Sequence, residues 1–233
     1  MAPPPRIKAF TDHIKFLPSG GIWMAVPTGL WDLDRCLRGG IPDCAVTEIR
    51  GGPGSGKTQL LMQAAARASR SGQVLYVDTT GKFRPERAAQ MGGDLSRITV
   101  YRATNSSEQA GALDGADRFA MIAVDSASDL FAYEYGPKGR SRSGGLAFHR
   151  YMRSLAGAAL SAGIPAVVTA TPRGMRDGMD DVAALHAHVR IYLARVSPQG
   201  VKKPRFRGSA RWALGGTAFG YLIGGGGLES QDI

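Results

Sequence analysis

The fold class of this sequence is decided by one stretch, Gly51-Gly52-Pro53-Gly54-Ser55-Gly56-Lys57-Thr58, which matches the pattern G-x-x-x-x-G-K-[ST]. It follows a strand-like run at residues 46–49 and precedes an Ala- and Leu-rich run at residues 58–70, which predicts a helix. Glycines let backbone N–H groups converge on phosphate oxygens, and the positive end of the following helix attracts the same anion. The stretch therefore predicts a phosphate-binding loop between a strand and a helix.

Two side chains of this loop and one distant carboxylate predict a nucleotide with Mg²⁺. Lys57 adds a point charge near the β and γ phosphates, and the hydroxyl of Thr58 is suited to hold the metal ion. Asp125 ends the apolar run at residues 121–124, and a magnesium-bound nucleotide needs such a carboxylate. We therefore expect Lys57 and Asp125 to act in catalysis, with Thr58 and Asp125 as the metal ligands.

Short apolar runs alternate with helical segments along the chain. Residues 74–78, 119–124 and 165–169 are strand-like, and residues 146–162 predict a helix that ends at Gly163. This alternation predicts an α/β fold with a mainly parallel sheet and helices on both faces. Binding groups then lie at the carboxyl ends of the strands.

The pattern changes from Val189 onward. Three strand-like segments, residues 189–196, 211–214 and 219–223, are separated by turns that contain glycine or proline. They predict antiparallel strands added to one edge of the sheet. Four consecutive glycines at residues 224–227 are expected to form a loose end.

Composition excludes several classes of protein. The 233 residues are 43% hydrophobic, which is enough apolar surface for a core and argues against a disordered chain. Two cysteines, Cys36 and Cys44, are too few for a disulfide framework and favour a reducing compartment. No apolar run reaches the roughly 18 residues that a membrane span needs. We therefore expect an intracellular protein without a membrane partner.

Further motifs lie before and after the phosphate loop in the sequence. They are Val26-Pro27-Thr28-Gly29, Gly39-Gly40-Ile41-Pro42, Gln59 directly after the loop, Phe83-Arg84-Pro85-Glu86-Arg87 and Val124-Asp125-Ser126-Ala127. Together they resemble the RecA-like recombinase ATPases, specifically their archaeal and eukaryotic branch. The resemblance implies a RecA-like P-loop NTPase core that binds ATP and Mg²⁺. It also implies that residues 51–59 contact the nucleotide and that Arg87 lies against the adenine.

Two departures concern domains and assembly. The resemblance implies a small helical DNA-binding domain before the core, but we expect only a flexible tail at residues 1–20 and one ATP-binding core at residues 21–233. The family's filament-forming motif, Phe-x-x-Ala, is absent, because none of the eight phenylalanines has alanine three positions later. The chain thus resembles a core-only paralogue, of the archaeal RadB type or of the eukaryotic recombinase paralogues. A recombinase or a recombinase paralogue is then the expected protein partner.

A third departure concerns hydrolysis. Where the family has Asp-Thr-Glu-Gly, with the glutamate activating water, this chain has Asp78-Thr79-Thr80-Gly81, and Thr171 replaces a glutamine that senses the γ-phosphate. A threonine hydroxyl is no general base near neutral pH, and a positioned base contributes roughly 10² to 10⁴-fold. We therefore predict ATP binding with very weak hydrolysis. Glu48 is the nearby carboxylate that could replace the missing base.

The positive net charge favours a polyanionic partner. The resemblance implies that this partner is DNA, either single- or double-stranded. The net charge is +10, and no acidic residue lies between residues 182 and 227. The resemblance implies two DNA-contacting loops, at residues 131–145 and 172–181. In the first loop we expect contacts from Lys138, Arg140 and Arg142.

A second basic cluster lies in a predicted hairpin turn near the C-terminus. Its cations surround Phe206, a composition suited to phosphate contact and to base stacking on single strands. The cluster consists of Lys202, Lys203, Arg205 and Arg207. The three tryptophans are expected to be packing residues.

We interpret the chain as an ATP- and DNA-binding accessory factor in homologous recombination and DNA repair. It would act in the cytoplasm of an archaeon or in the nucleus of a eukaryote. The alternative is a RecA-like signalling or clock-type ATPase that acts through protein partners. Strand exchange by a motor-like filament is least favoured, since it needs both rapid hydrolysis and filament formation.

Overall fold

The computed structural model describes residues 25–135, 142–172, 178–197, 205–212 and 215–231, without the side chain of Arg142. Within these ranges nine strands form one sheet. The strands are β1 (Val46–Gly51), β2 (Val74–Asp78), β3 (Ile98–Arg102), β4 (Met121–Asp125), β5 (Ala166–Ala170), β6 (Val189–Arg195), β7 (Phe206–Trp212), β8 (Gly215–Gly224) and β9 (Gly227–Gln231). The helices are α1 (Trp31–Cys36), α2 (Lys57–Ala68), α3 (Pro85–Gln90), α4 (Ser106–Gly111), α5 (Asp129–Glu134), α6 (Arg142–Ala162) and α7 (Gly178–His186).

The sheet confirms the predicted α/β architecture. Its strand order is β3-β2-β4-β5-β1-β6-β7-β8-β9. The pairs from β3 to β6 are parallel, and those from β6 to β9 are antiparallel. β1 lies between β5 and β6, and all of its residues are buried. The strand that leads into the phosphate loop is therefore held from both sides.

Helices cover both faces of the parallel part of the sheet. On one face, α2 packs Leu60 and Leu61 against side chains such as Ile49 and Tyr76. On the other face, the buried side of α6 packs with β4 and β5, and Phe148 of α6 is fully buried there. Because only residues 52–56 separate β1 from α2, this packing fixes the direction in which the helix leaves the sheet.

The C-terminal strands differ from the sequence-based expectation. β7 begins at Phe206 rather than at residue 211, so Phe206 and Arg207 belong to this strand and not to the predicted hairpin turn. β6 and β7 do pair as an antiparallel hairpin, and residues 198–204 of its connection lie outside the described ranges. The Phe206 ring is buried and stacks on Tyr221 at 5.2 Å between ring centroids, so it is not presented to a nucleic acid base. The glycines at residues 224–227 are no loose end, because they form the turn between β8 and β9.

The structure corrects the expectations for the tryptophans and for the DNA loops, and several predicted residues lie outside the described ranges. Trp31 is 71% exposed and is no packing residue, whereas Trp212 packs partly against the core. The expected DNA loops are shorter than predicted, because residues 129–134 and 142 onward are helical and α7 starts at Gly178. The predicted tail at residues 1–20 and the cations Lys138, Arg140, Lys202 and Lys203 lie outside the described ranges.

To cross a bilayer, any of the described helices would need both length and apolar character. None of them combines enough length with enough apolar character to cross a bilayer.

Packing around α2 generates a stability prediction. Leu61 is fully buried, and we expect Leu61→Ala to lower the free energy of unfolding by about 2 to 5 kcal/mol, because a cavity remains. Leu160→Ala on α6 is the matched control, since Leu160 is 67% exposed, and it should cost about 0.5 kcal/mol or less. Urea unfolding of both variants measures the difference. Equal midpoints would contradict the assigned packing.

Candidate functional site

The phosphate loop leaves the sheet at the carboxyl end of β1. Gly54 and Gly56 have φ angles of 73° and 95°, values that glycine adopts readily. A Cβ on Gly51 would lie 2.2 Å from the carbonyl oxygen of Leu193, so only glycine fits where β1 meets β6. Residues 52–54 are exposed. The loop therefore has a fixed base and an upper edge open to a ligand.

Lys57 folds back onto the loop. Its Nζ donates hydrogen bonds to the carbonyl oxygens of Gly51 at 2.8 Å and of Gly52 at 3.0 Å. Partial burial lowers the pKa of Lys57, while Asp125 opposes that shift. Both of these hydrogen bonds go to backbone carbonyls, and phosphate oxygens can replace these acceptors.

Thr58 and Asp125 meet at the mouth of the loop, as the sequence predicts. The Thr58 hydroxyl donates to Oδ2 of Asp125 at 2.8 Å, and the hydroxyl of Thr169 donates to Oδ1. Asp125 is 3% exposed, and burial raises its pKa against the effect of these two hydrogen bonds. A hydroxyl and a carboxylate at this separation provide the oxygen ligands that Mg²⁺ prefers. Thr169 was not identified from the sequence, although it lies at the end of a predicted strand.

The segment after β2 is organised by Asp78. Its carboxylate accepts backbone hydrogen bonds from Thr80 at 3.1 Å, Lys82 at 3.2 Å and Phe83 at 3.0 Å. It also accepts the Thr80 hydroxyl at 3.2 Å. The Thr80 side chain therefore points toward Asp78. The carboxylate of Asp78 is already used as the acceptor of hydrogen bonds from residues 80–83.

Glu48 does not replace the missing base. Its carboxylate is fully buried and accepts hydrogen bonds from Arg50 at 3.3 Å and from Arg190 at 2.8 Å. Burial raises the pKa of Glu48, and the two guanidinium groups oppose this shift. Both carboxylate oxygens are thus engaged in ion pairs.

The β8–β9 hairpin supports the phosphate loop and meets Arg87. The hydroxyl of Tyr221 donates to the carbonyl of Ser55 at 2.6 Å. Arg87 donates to Gln59 Oε1 at 3.2 Å and to the carbonyls of Gly224 and Gly225. The structure therefore brings Gln59 and Arg87 together beside the loop. The hairpin's part in the site was missed, because its glycines carry no chemical signal in the sequence.

The basic residues of β7 lie on an exposed sheet face. Arg207 and Arg211 are exposed, and Arg211 pairs in register with Arg190 of β6. Tyr192 lies on the same face of β6, with the Arg190 guanidinium 5.3 Å from its ring centroid. Arg205, just before β7, is also exposed. Arg142 begins α6, which makes it part of a helix and not of a loop.

Comparisons with known proteins agree with this geometry. The family model described as Rad51 matches residues 22–188. DNA repair protein RAD51 homolog A of Zea mays is 33% identical over 165 residues, which cover 62% of this chain and 48% of that protein. DNA repair and recombination protein RadA of Cenarchaeum symbiosum is 36% identical over 152 residues, which cover 56% of this chain and 38% of that protein. The matches thus span about half or less of these relatives.

The Asp78 contacts generate a prediction that needs no ligand. We expect Asp78→Asn to lower the free energy of unfolding by about 2 to 3 kcal/mol, because an amide cannot accept all of these backbone hydrogen bonds. Asp94→Asn is the control, since asparagine can also cap the turn at Asp94, and the ion pair of Asp94 with Arg97 is largely exposed and contributes little. Chemical denaturation of the two variants distinguishes them. A loss no larger than that of the control would contradict the organising role of Asp78.

Proposed function

Because this chain belongs to the Rad51 family, we propose that it is an ATP- and DNA-binding accessory factor in homologous recombination and DNA repair, with weak ATP hydrolysis. The observation that carries the proposal is the convergence of Lys57, Thr58 and Asp125 at the open end of the phosphate loop. The relatives are named as DNA repair and recombination proteins, which supports the same assignment. Its place of action would be the compartment that holds the genome, and a recombinase or a paralogue would be its partner.

The chain's own residues suffice to position a triphosphate. In this proposal Lys57 exchanges its two carbonyl acceptors for phosphate oxygens, and Thr58 and Asp125 hold Mg²⁺. Magnesium held by these two residues would supply charge neutralisation for the phosphates. Arg87 and Gln59 lie beside the loop, where the adenine is expected.

Weak hydrolysis follows from the groups around the attacking water. Thr80 has no basic atom, and its hydroxyl already donates to Asp78. Asp78 accepts three backbone N–H groups, and Glu48 is bound by two arginines. In the part of the chain that the structure describes, these three positions therefore supply no free general base. ATP would act mainly as a ligand that stabilises one conformation.

DNA contact is proposed for the exposed basic face of β6 and β7. Arg207 and Arg211 stand on this face, and Tyr192 offers an exposed ring among them. Opposite them, β8 contributes only small residues, because Arg207 pairs with Gly220 and Arg211 with Gly216. A flat cationic surface of this kind suits the phosphate backbone. With Phe206 buried, the proposal rests on charge more than on base stacking.

Hydrolysis is tested by restoring a base. We expect wild-type protein to bind ATP with very slow turnover, and Thr80→Glu to raise the turnover by roughly 10² or more. Thr80→Gln is the matched control, because it has the same length without a base. Lys57→Ala should weaken ATP binding in a filter assay. Rapid wild-type turnover that Lys57→Ala abolishes would refute the weak hydrolysis, and equal rates for the Glu and Gln variants would refute its assignment to the missing base at position 80.

DNA binding is tested by charge reversal. We expect Arg207→Glu with Arg211→Glu to weaken binding of a single-stranded oligonucleotide and to reduce the salt slope by about 1.4, from about 0.7 per lost phosphate contact. Arg102→Glu is the control, because Arg102 is also exposed but lies on β3 at the opposite end of the sheet order. Salt titrations followed by fluorescence anisotropy measure both. Unchanged binding by the double variant would refute DNA contact at this face, whereas a wild type that binds no DNA would favour the signalling-type ATPase instead.

A further inference from the structure

A second lysine, Lys82, lies at the same edge of the sheet as the phosphate loop. Its backbone N–H donates to Oδ1 of Asp78 at 3.2 Å, which holds Lys82 just beyond the end of β2. Asp78 is the in-register partner of Asp125 on β4. Neighbouring strands of a sheet are about 4.8 Å apart. Lys82 therefore lies close to the carboxylate that is expected to hold Mg²⁺.

The segment that carries Lys82 is anchored at both of its ends. On one side, Thr79 donates its backbone N–H to the carbonyl oxygen of Asp125 at 2.8 Å and its hydroxyl to the same oxygen at 3.1 Å. On the other side, the Phe83 ring is buried against Tyr76, with 4.7 Å between the ring centroids. Lys82 itself is exposed. The backbone is thus held in place, while the long side chain of Lys82 can turn toward a ligand.

The charge of Lys82 acts on both charged groups of the candidate site. Burial lowers the pKa of Lys57, and the positive charge of Lys82 lowers it further. Burial raises the pKa of Asp125, and Lys82 opposes this rise. Electrostatic effects of this kind weaken with distance. The ammonium group of Lys82 therefore lies near Lys57 and Asp125 at the mouth of the phosphate loop.

This position favours the terminal phosphate of a nucleotide. In the phosphate-loop motif the lysine reaches the β and γ phosphates, and the Ser or Thr hydroxyl holds the metal ion at the same end. Lys57 and Lys82 repel each other while no anion is present, and phosphate charge between them turns this repulsion into attraction. ATP carries a γ-phosphate and ADP does not. A second lysine at this end of the loop therefore stabilises bound ATP more than bound ADP.

We propose that Lys82 contacts the γ-phosphate and makes the site select a nucleoside triphosphate over a diphosphate. The inference rests on the proposed ATP binding and names the residue that sets the choice between the two nucleotides. Lys57 alone discriminates less, because it also contacts the β-phosphate that ADP retains. Selection of the triphosphate suits a site without a base at position 80, in which ATP acts as a ligand that stabilises one conformation.

Titration calorimetry of the full chain with ATP and with ADP, each with Mg²⁺, tests the proposal. We expect Lys82→Met to weaken ATP binding by about tenfold, the factor that one hydrogen bond to a charged group supplies, and to change ADP binding by less than about twofold. Lys82→Arg should keep the preference for ATP, because it keeps the charge. Arg102→Met is the matched control, since it removes an exposed cation from the end of β3, the strand next to β2. It should change neither affinity.

A second measurement needs no nucleotide. The charges of Lys82, Asp125 and Asp129 all act on Lys57. Without Lys82 the pKa of Lys57 should rise, so that less of its amine is unprotonated and acetylation becomes slower at a fixed pH below this pKa. Mass spectrometry measures the acetylation of Lys57 in the wild type, in Lys82→Met and in Arg102→Met. Equal rates in the wild type and Lys82→Met would show that Lys82 lies away from the site and would overturn the proposal.

The selectivity and the proposed function fail separately. If the wild type binds neither ATP nor ADP, the proposed function is wrong and the selectivity with it. If the wild type binds ATP, but Lys82→Met retains full ATP affinity or loses ATP and ADP affinity equally, only the role of Lys82 is overturned. Tighter ATP binding by Lys82→Met would show that Lys82 competes with Mg²⁺ for Asp125, and that result also counts against the proposal.

Discussion

The hydrogen bond between Thr58 and Asp125 is the contact on which the arrangement of this site depends. It joins the first turn of α2 to the end of β4, two elements that are 67 residues apart in the chain. Because β1, β4 and β5 are parallel and adjacent, their carboxyl ends meet at one edge, and Thr169 completes the group from β5. The sheet thus brings the oxygen atoms of Thr58, Asp125 and Thr169 together without a bound ligand. Such preorganisation lowers the free-energy cost of binding.

The two faces of β1 serve different purposes. Toward α2 the strand presents Ile49 to an apolar core, which stabilises the fold through buried area. Toward α7 it presents Glu48 and Arg50, which are paired with charges rather than with apolar groups. Apolar packing resists displacement in every direction, whereas an ion pair is sensitive to the position of each charge. A single strand therefore packs against α2 through apolar contacts and is joined to α7 by an ion pair.

The fold was predictable where periodicity and motif agree. β1, β2, β4, β5 and α2 carry the apolar runs that burial requires, and the structure confirms these elements and the glycine-rich loop between β1 and α2. The edge strand β3, which is mostly exposed, was not predicted. The start of β7 was missed, because Phe206 lies among cations in the sequence and its burial arises from stacking on Tyr221, a residue of the next strand. The ion pair between Arg50 and Asp180 could not be predicted from the sequence either. It depends on where α7 packs, and no local sequence pattern encodes the position of this helix.

The four-glycine turn between β8 and β9 shows how misleading low complexity can be. Gly227 has a φ angle of 114°, and a Cβ there would lie 2.2 Å from the Oε1 atom of Gln63. Gln63 in turn donates hydrogen bonds to the carbonyls of Thr28 and Leu228. Gly225 has open space around it, whereas a side chain at Gly227 would displace Gln63. Natural variation at Gly227 should be scarce even where neighbouring surface loops diverge.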